Sequence, residues 1–193
     1  MVTGKRGTVR DRIVDTALEL GQESGWANVR LYQVAERAGV PLATIGTEFR
    51  DLDALANAWF ARALSAVEQI PPQALGGQPA PERLHLVIMR WFDALAPHRE
   101  VTGEMLRAKL YPSHPQHWVP LVFDLSRLVH WFLDAARIAS TGRARQMAEV
   151  GLTAIFLGSL RVWLRDDSAG SERTRSYLRR QLTAADRWLT RLT

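Results

Sequence analysis

The sequence predicts an all-α protein of about nine helices. Apolar residues recur three and four apart along most of the chain, Gly and Pro fall where those runs stop, and no alternating segment reads as a strand. With 193 residues, 47% apolar and 23% charged, the chain is long enough for one large domain or two small ones sharing a core, and its composition is that of a folded protein rather than a disordered one.

Residues 9–24 put Ile13, Ala17, Leu18 and Leu20 on one stripe, and Gly25 stands where a helix should stop. A short second helix, 31–38, turns Leu31, Val34, Ala35 and Ala38 inward. Gly39 turns the chain, and Pro41 suits the first turn of a third helix, 41–47. Asp51 or Asp53 can cap a fourth, about 52–69. Residues 70–83, IPPQALGGQPAPER, hold four prolines and two glycines and read as a linker. Helices then follow at about 81–95, 98–110, 117–139, 143–165 and 172–191, with a break at 111–120 and an end signal at Thr141–Gly142.

Several function classes are excluded early. There is no Cys, hence no disulfide, thiolate metal site or cysteine nucleophile. The basic N-terminus lacks the apolar run of a signal peptide, and no 18-residue apolar segment suggests a membrane span, so a cytoplasmic protein is expected. His114 and His117 are separated by a proline, and with His130 they find no further ligand-bearing cluster. Ser126 and His130 are one turn apart without an acid partner. We expect no metal, no cofactor and no enzyme activity.

The motifs RDRIVDTALELGQESGW, YQVAERAGV and EFRDLDAL, over residues 10–60, resemble the TetR family of one-component regulators. That resemblance implies a three-helix DNA-binding head (1–52) and a larger ligand-binding and dimerisation bundle (53–193), with 53–69 as hinge helix. The segment 145–182, with its Trp-Leu-x-Asp-Asp-Ser break, resembles the lipid-binding accessory protein of ubiquinone biosynthesis, which is itself built on a TetR-like fold.

The head departs from the family pattern at four contact positions: Arg30 replaces a capping Thr, Gly46 a Tyr, Glu48 a His and Leu52 a Lys. Residues 1–60 carry seven bases and eight acids, whereas 137–193 carry eleven arginines and five acids. Phosphate neutralisation supplies most non-specific DNA affinity, so a near-neutral head is a weak one. The expected DNA contacts are Lys5, Arg6, Arg10, Arg30, Thr44, Thr47 and Arg50, with Gln33, Tyr32 and Arg37 beside them.

In the bundle, Trp91, Phe92, Trp118, Phe123, Trp131 and Phe156 are expected to line a pocket for a hydrophobic small molecule or lipid. Asp93, Asp124 and Asp134 are candidate acceptors for indole N–H groups. Leu178, Leu182, Ala185 and Leu189 form a heptad seam, and Gly151, Ile155 and Gly158 lie on a small-residue face; together they are expected to form a two-fold dimer interface. The leading expectation is a homodimeric operator-binding regulator modulated by a hydrophobic ligand. The alternative is a lipid-binding accessory protein that no longer reads DNA, with the arginine-rich last helix making peripheral membrane contact.

Overall fold

The computed structural model describes residues 8–110 and 115–189, with side chains for 8–110 and 124–187. Among the described residues there are nine α-helices of seven residues or more and no strand. They are α1 (Val9–Ser24), α2 (Leu31–Ala38), α3 (Leu42–Glu48), α4 (Leu52–Glu68), α6 (Ala80–Leu95), α7 (Arg99–Lys109), α8 (Pro115–Ala135), α9 (Gly142–Trp163) and α10 (Glu172–Leu189), with α5 (Pro72–Leu75) a single turn inside the proline-rich segment. The chain forms two compact units, Met1–Arg62 with His98–Leu110, and Ala63–Pro97 with Tyr111–Thr193.

In the first unit, local signals set the helix ends. Thr8 and Asp11 form a reciprocal capping box at the start of α1. Gly25 ends α1 at φ +84°, and Gly39 ends α2 in the left-handed region at φ +64°, where a side chain would be strained. Asp51 is the residue that caps α4, its Oδ1 accepting the Ala54 N–H at 2.8 Å. Ile13, Leu18, Val34, Ile45, Phe49 and Leu55 are buried as the core.

α7 is bound into this unit by four specific contacts. Val101 fills the space beside Gly21, so closely that a Cβ there would lie 2.8 Å from its Cγ1. Glu104 accepts the Trp26 backbone N–H. The Trp59 indole donates to Thr102 Oγ1 at 3.0 Å. The buried Lys109 ammonium pairs with Asp53 and donates to Asn57 Oδ1 at 2.7 Å.

In the second unit, α10 packs on α6 and α9. Phe92 stacks on Phe156 at 5.7 Å and on Trp163 at 5.4 Å between ring centroids. α8 stops at Ala135, four residues before the expected end. Arg137 takes up the left-handed conformation (φ +55°), the Ile138 N–H returns to Leu133 O, and Arg83 Nε donates to Ala136 O at 2.7 Å. No glycine marks this stop: Arg137 itself takes the left-handed position, and Arg83 satisfies the freed Ala136 carbonyl. Buried His85 contacts Arg175 O at 3.1 Å, and its burial, with Arg179 nearby, holds its pKa below the usual value.

The Asp-Asp-Ser break is a buried polar knot. Asp166, 2% exposed, accepts the Thr174 N–H and hydroxyl at 2.8 and 2.6 Å and the Ser168 N–H at 3.1 Å. Burial alone pushes this carboxyl up, but the hydrogen bonds from Ser168 and Thr174 outweigh it and hold the pKa at about 2. Among the described residues no helix is long and apolar enough to cross a membrane.

Candidate nucleic-acid interface and apolar cavity

The surface of α2 and α3 is built around a small apolar core. Ile45 and Phe49 face inward, fully or nearly fully buried, and the opposite side of α3 exposes Leu42, Ala43, Gly46 and Thr47. Thr44 is half-buried, and Tyr32 of α2 is exposed. The Thr47 hydroxyl donates to Ala43 O at 3.0 Å. Around Gly46 a Cβ would meet nothing within 4 Å.

The basic residues expected to meet DNA are held by intramolecular partners. Arg10 donates to Glu48 O at 2.8 Å, pairs with the Glu48 carboxylate at 3.3 Å and lies over the Phe49 ring, 4.2 Å from its centre. The negative charge of Glu48 is thereby offset within the head. Arg30 does not cap α2 with its side chain. Its guanidinium donates to Ala27 O and Val29 O at 2.8 and 2.9 Å, while Gln33 Oε1 accepts its backbone N–H. Arg37 pairs with Glu23 at 2.6 Å and Arg50 with Asp51 at 2.9 Å. Lys5 and Arg6 lie outside the described residues. Arg12 is exposed on α1, off its apolar stripe.

The second unit contains a cavity of about 810 Å³. Its walls are aliphatic: Leu84 of α6, Leu133 of α8, Val150, Gly151 and Ile155 of α9, Leu182 of α10, with Gln146, Gln181 and Asp186 as polar members. The expected aromatic lining is not what forms it. Trp91, Phe92 and Phe156 are buried against one another at centroid distances of 5.4 to 5.7 Å, filling the core, and none lines the cavity. Trp131 is 47% exposed, and the side chains of Trp118 and Phe123 lie outside the described residues. Aliphatic lining gives a weaker sequence signal than clustered Trp and Phe, so the cavity was not foreseen.

The expected dimer residues divide in the same way. Gly151, Ile155, Leu182 and Ala185 line the cavity. Leu178 is fully buried within the subunit, and Gly158 lies against Tyr177, whose Oη would be 2.6 Å from an added Cβ. The Leu189 side chain lies outside the described residues. α9 also exposes Leu157 and, on the cavity side, Met147 and Val150, and Leu164 just after its last residue is exposed as well.

Asp93, Asp134 and Asp124 pair with Arg175, Arg145 and Arg127. His130 pairs with Glu149 at 2.8 Å and meets the Ser126 carbonyl, not its hydroxyl. His114 lies outside the described residues, as does the side chain of His117, and no cluster of three metal-ligating residues is found among the described ones.

The chain matches no family model and no curated protein. Among solved structures it is 41% identical to a TetR transcriptional regulator from Nitrosomonas europaea, with 92% of this chain and 97% of that one covered at a TM-score of 0.82. It is 28% identical to the multidrug binding protein EbrR complexed with imidazole, covering 94% of this chain and 96% of that one at a TM-score of 0.52. The fatty acid degradation regulator FadR from Bacillus halodurans shares the fold at 18% identity, covering 93% and 97% with a TM-score of 0.65. With its helix-turn-helix head, its all-helical architecture and this degree of identity over nearly its whole length, the chain belongs to the TetR family of transcriptional regulators.

Proposed function

We propose that this chain is a non-enzymatic, homodimeric regulator that binds operator DNA through its head, residues 1–52, and is modulated by a hydrophobic ligand held in the second unit. The observation that carries the DNA reading is the outward face of α3, presented by a folded three-helix core in a chain 41% identical to a TetR regulator. Two such heads related by a two-fold axis fit a palindromic site read in successive major grooves.

The ligand reading rests on the apolar cavity of about 810 Å³, a size that suits a drug-sized or acyl-chain molecule. The likeness to EbrR, a multidrug binding protein, supports it. The homodimer rests on the exposed apolar row Val150, at the cavity mouth, and Leu157 on α9, continued by Leu164 just after the helix, which a partner helix would bury. A ligand shifts DNA affinity only as far as it binds the DNA-competent and incompetent states differently.

The lipid-accessory alternative loses two supports. The Asp166, Ser168 and Thr174 contacts account for the Asp-Asp-Ser motif as a folding device. Arg173, Arg175 and Arg179 pair with Asp167, Asp93 and Glu82, which reduces the charge α10 offers to an anionic membrane.

The test is fluorescence anisotropy of the full chain with duplex from the region upstream of its own gene. Sequence-selective, salt-sensitive binding that weakens when a hydrophobic compound occupies the cavity is expected. Binding no stronger than to a scrambled duplex at low salt would overturn the regulator reading.

A further inference from the structure

We propose that α3 selects thymine-rich operator half-sites by apolar contact with thymine C5-methyl groups in the major groove, not by hydrogen bonding to guanine. The inference rests on the DNA-binding function proposed above and names the sequence class that this function would read.

The argument begins with what α3 offers. Strong base readout uses bidentate side chains: Arg or Lys on guanine O6 and N7, Asn or Gln on adenine N6 and N7. None of these four residue types occurs between Leu42 and Glu48. The exposed groups are the isobutyl of Leu42, 53% exposed, the methyl of Ala43, the bare backbone at Gly46, and Thr47 with its hydroxyl already donated to Ala43 O. The acid of the helix, Glu48, is bridged to Arg10, which offsets the one carboxylate on α3 and leaves only the weaker hydroxyl acceptors of Thr44 and Thr47 for a cytosine amine.

The neighbouring arginines do not replace the missing donors. Arg10, Arg30, Arg37 and Arg50 each hold an intramolecular partner: Arg10 and Arg30 are bound to backbone carbonyls, Arg10 also to the Phe49 ring, and Arg37 and Arg50 pair at the surface with Glu23 and Asp51. An apolar, uncharged helix face in the major groove finds one apolar feature there, the thymine methyl. Gly46 assists by approach: with no Cβ and open space around it, the helix backbone can come nearer to the base edges than a side chain would permit.

The test uses a duplex selected from a random pool with the full-length protein. Each thymine in the half-site is replaced by deoxyuridine, which keeps its pairing and loses only the methyl. Affinity should fall about fourfold for each contacted methyl, the worth of one buried CH₂ group. Replacing guanine with 7-deazaguanine should change affinity less than twofold. Leu42→Ala, at an exposed position, should abolish the thymine-over-deoxyuridine preference at one base pair while leaving the circular dichroism melt unchanged. A selected duplex that tolerates deoxyuridine throughout, or that loses tenfold or more on 7-deazaguanine substitution, would overturn the inference and leave the regulator reading standing. Failure of the pool to yield any selected duplex would overturn both.

Discussion

Arg10 of α1 lies 4.2 Å above the Phe49 ring and donates to the Glu48 carbonyl at 2.8 Å, so the first helix grips the C-terminus of α3. The contact joins residues 38 apart in sequence, and it assigns a fold role to a cation that the sequence suggested for phosphate. Arg10→Gln should lower stability to urea by about 1 kcal/mol, the combined worth of an exposed ion pair and a surface cation–π contact. The same variant should leave the salt dependence of DNA binding unchanged. A slope reduced by about 0.9 per log unit of salt would mean that Arg10 neutralises a phosphate instead.

Lys109 and Asp53 tie the end of α7 to the start of α4, with Lys109 buried at 6% and Asp53 25% exposed. Lys109→Met leaves the carboxylate beside an apolar neighbour and should destabilise the protein by about 3 kcal/mol, the low end for breaking a buried pair because Asp53 keeps some water. Lys109→Met with Asp53→Leu should recover most of that loss. Chemical denaturation of both variants checks the pair, and equal destabilisation in the two would refute it.

The halves of the molecule differ in how much the sequence revealed. Helix ends governed by local chemistry were legible: Gly25, Gly39 and Asp51 act within one turn of where they stand. The end of α8 was not, because its cap is Arg83, 53 residues from Ala136. The scaffold of the head was legible from Val34, Ala35 and Ala38, which share one face of α2 and are buried. The state of its charges was not, since the partner of Arg10, Glu48, is set by tertiary geometry. In the second unit, aromatics that read as a pocket wall satisfy one another in the core, and the space is left among leucines, valines and glycine.

Asp166 gives the fold a dependence on acid. Its folded pKa, about 2, is depressed below the ordinary aspartate value of 3.8, so its contribution is complete above pH 4 and is lost as pH falls toward 2. The difference corresponds to about 2 kcal/mol at neutral pH. Asp166→Asn should therefore be less stable by roughly that amount at pH 7, and its stability should vary less than wild type between pH 4 and pH 2. Urea titrations across that range test the claim, and an unchanged acid limb in the variant would refute it.

Gly21 and Gly46 are both helical, and the same substitution should act on them with opposite sign. At Gly21 an added Cβ would sit 2.8 Å from Val101 and 3.3 Å from Trp26, two neighbours themselves buried, so Gly21→Ala should cost about 1–3 kcal/mol through overpacking. At Gly46 nothing lies within 4 Å, and Gly46→Ala should gain up to about 1 kcal/mol from helix propensity alone. Thermal melts of the two variants read the contrast directly. If α3 enters the major groove, the more stable Gly46→Ala protein should also bind its selected duplex more weakly, because the added methyl holds the backbone away from the bases. A variant that gained stability and kept full affinity would place the close approach elsewhere than at Gly46.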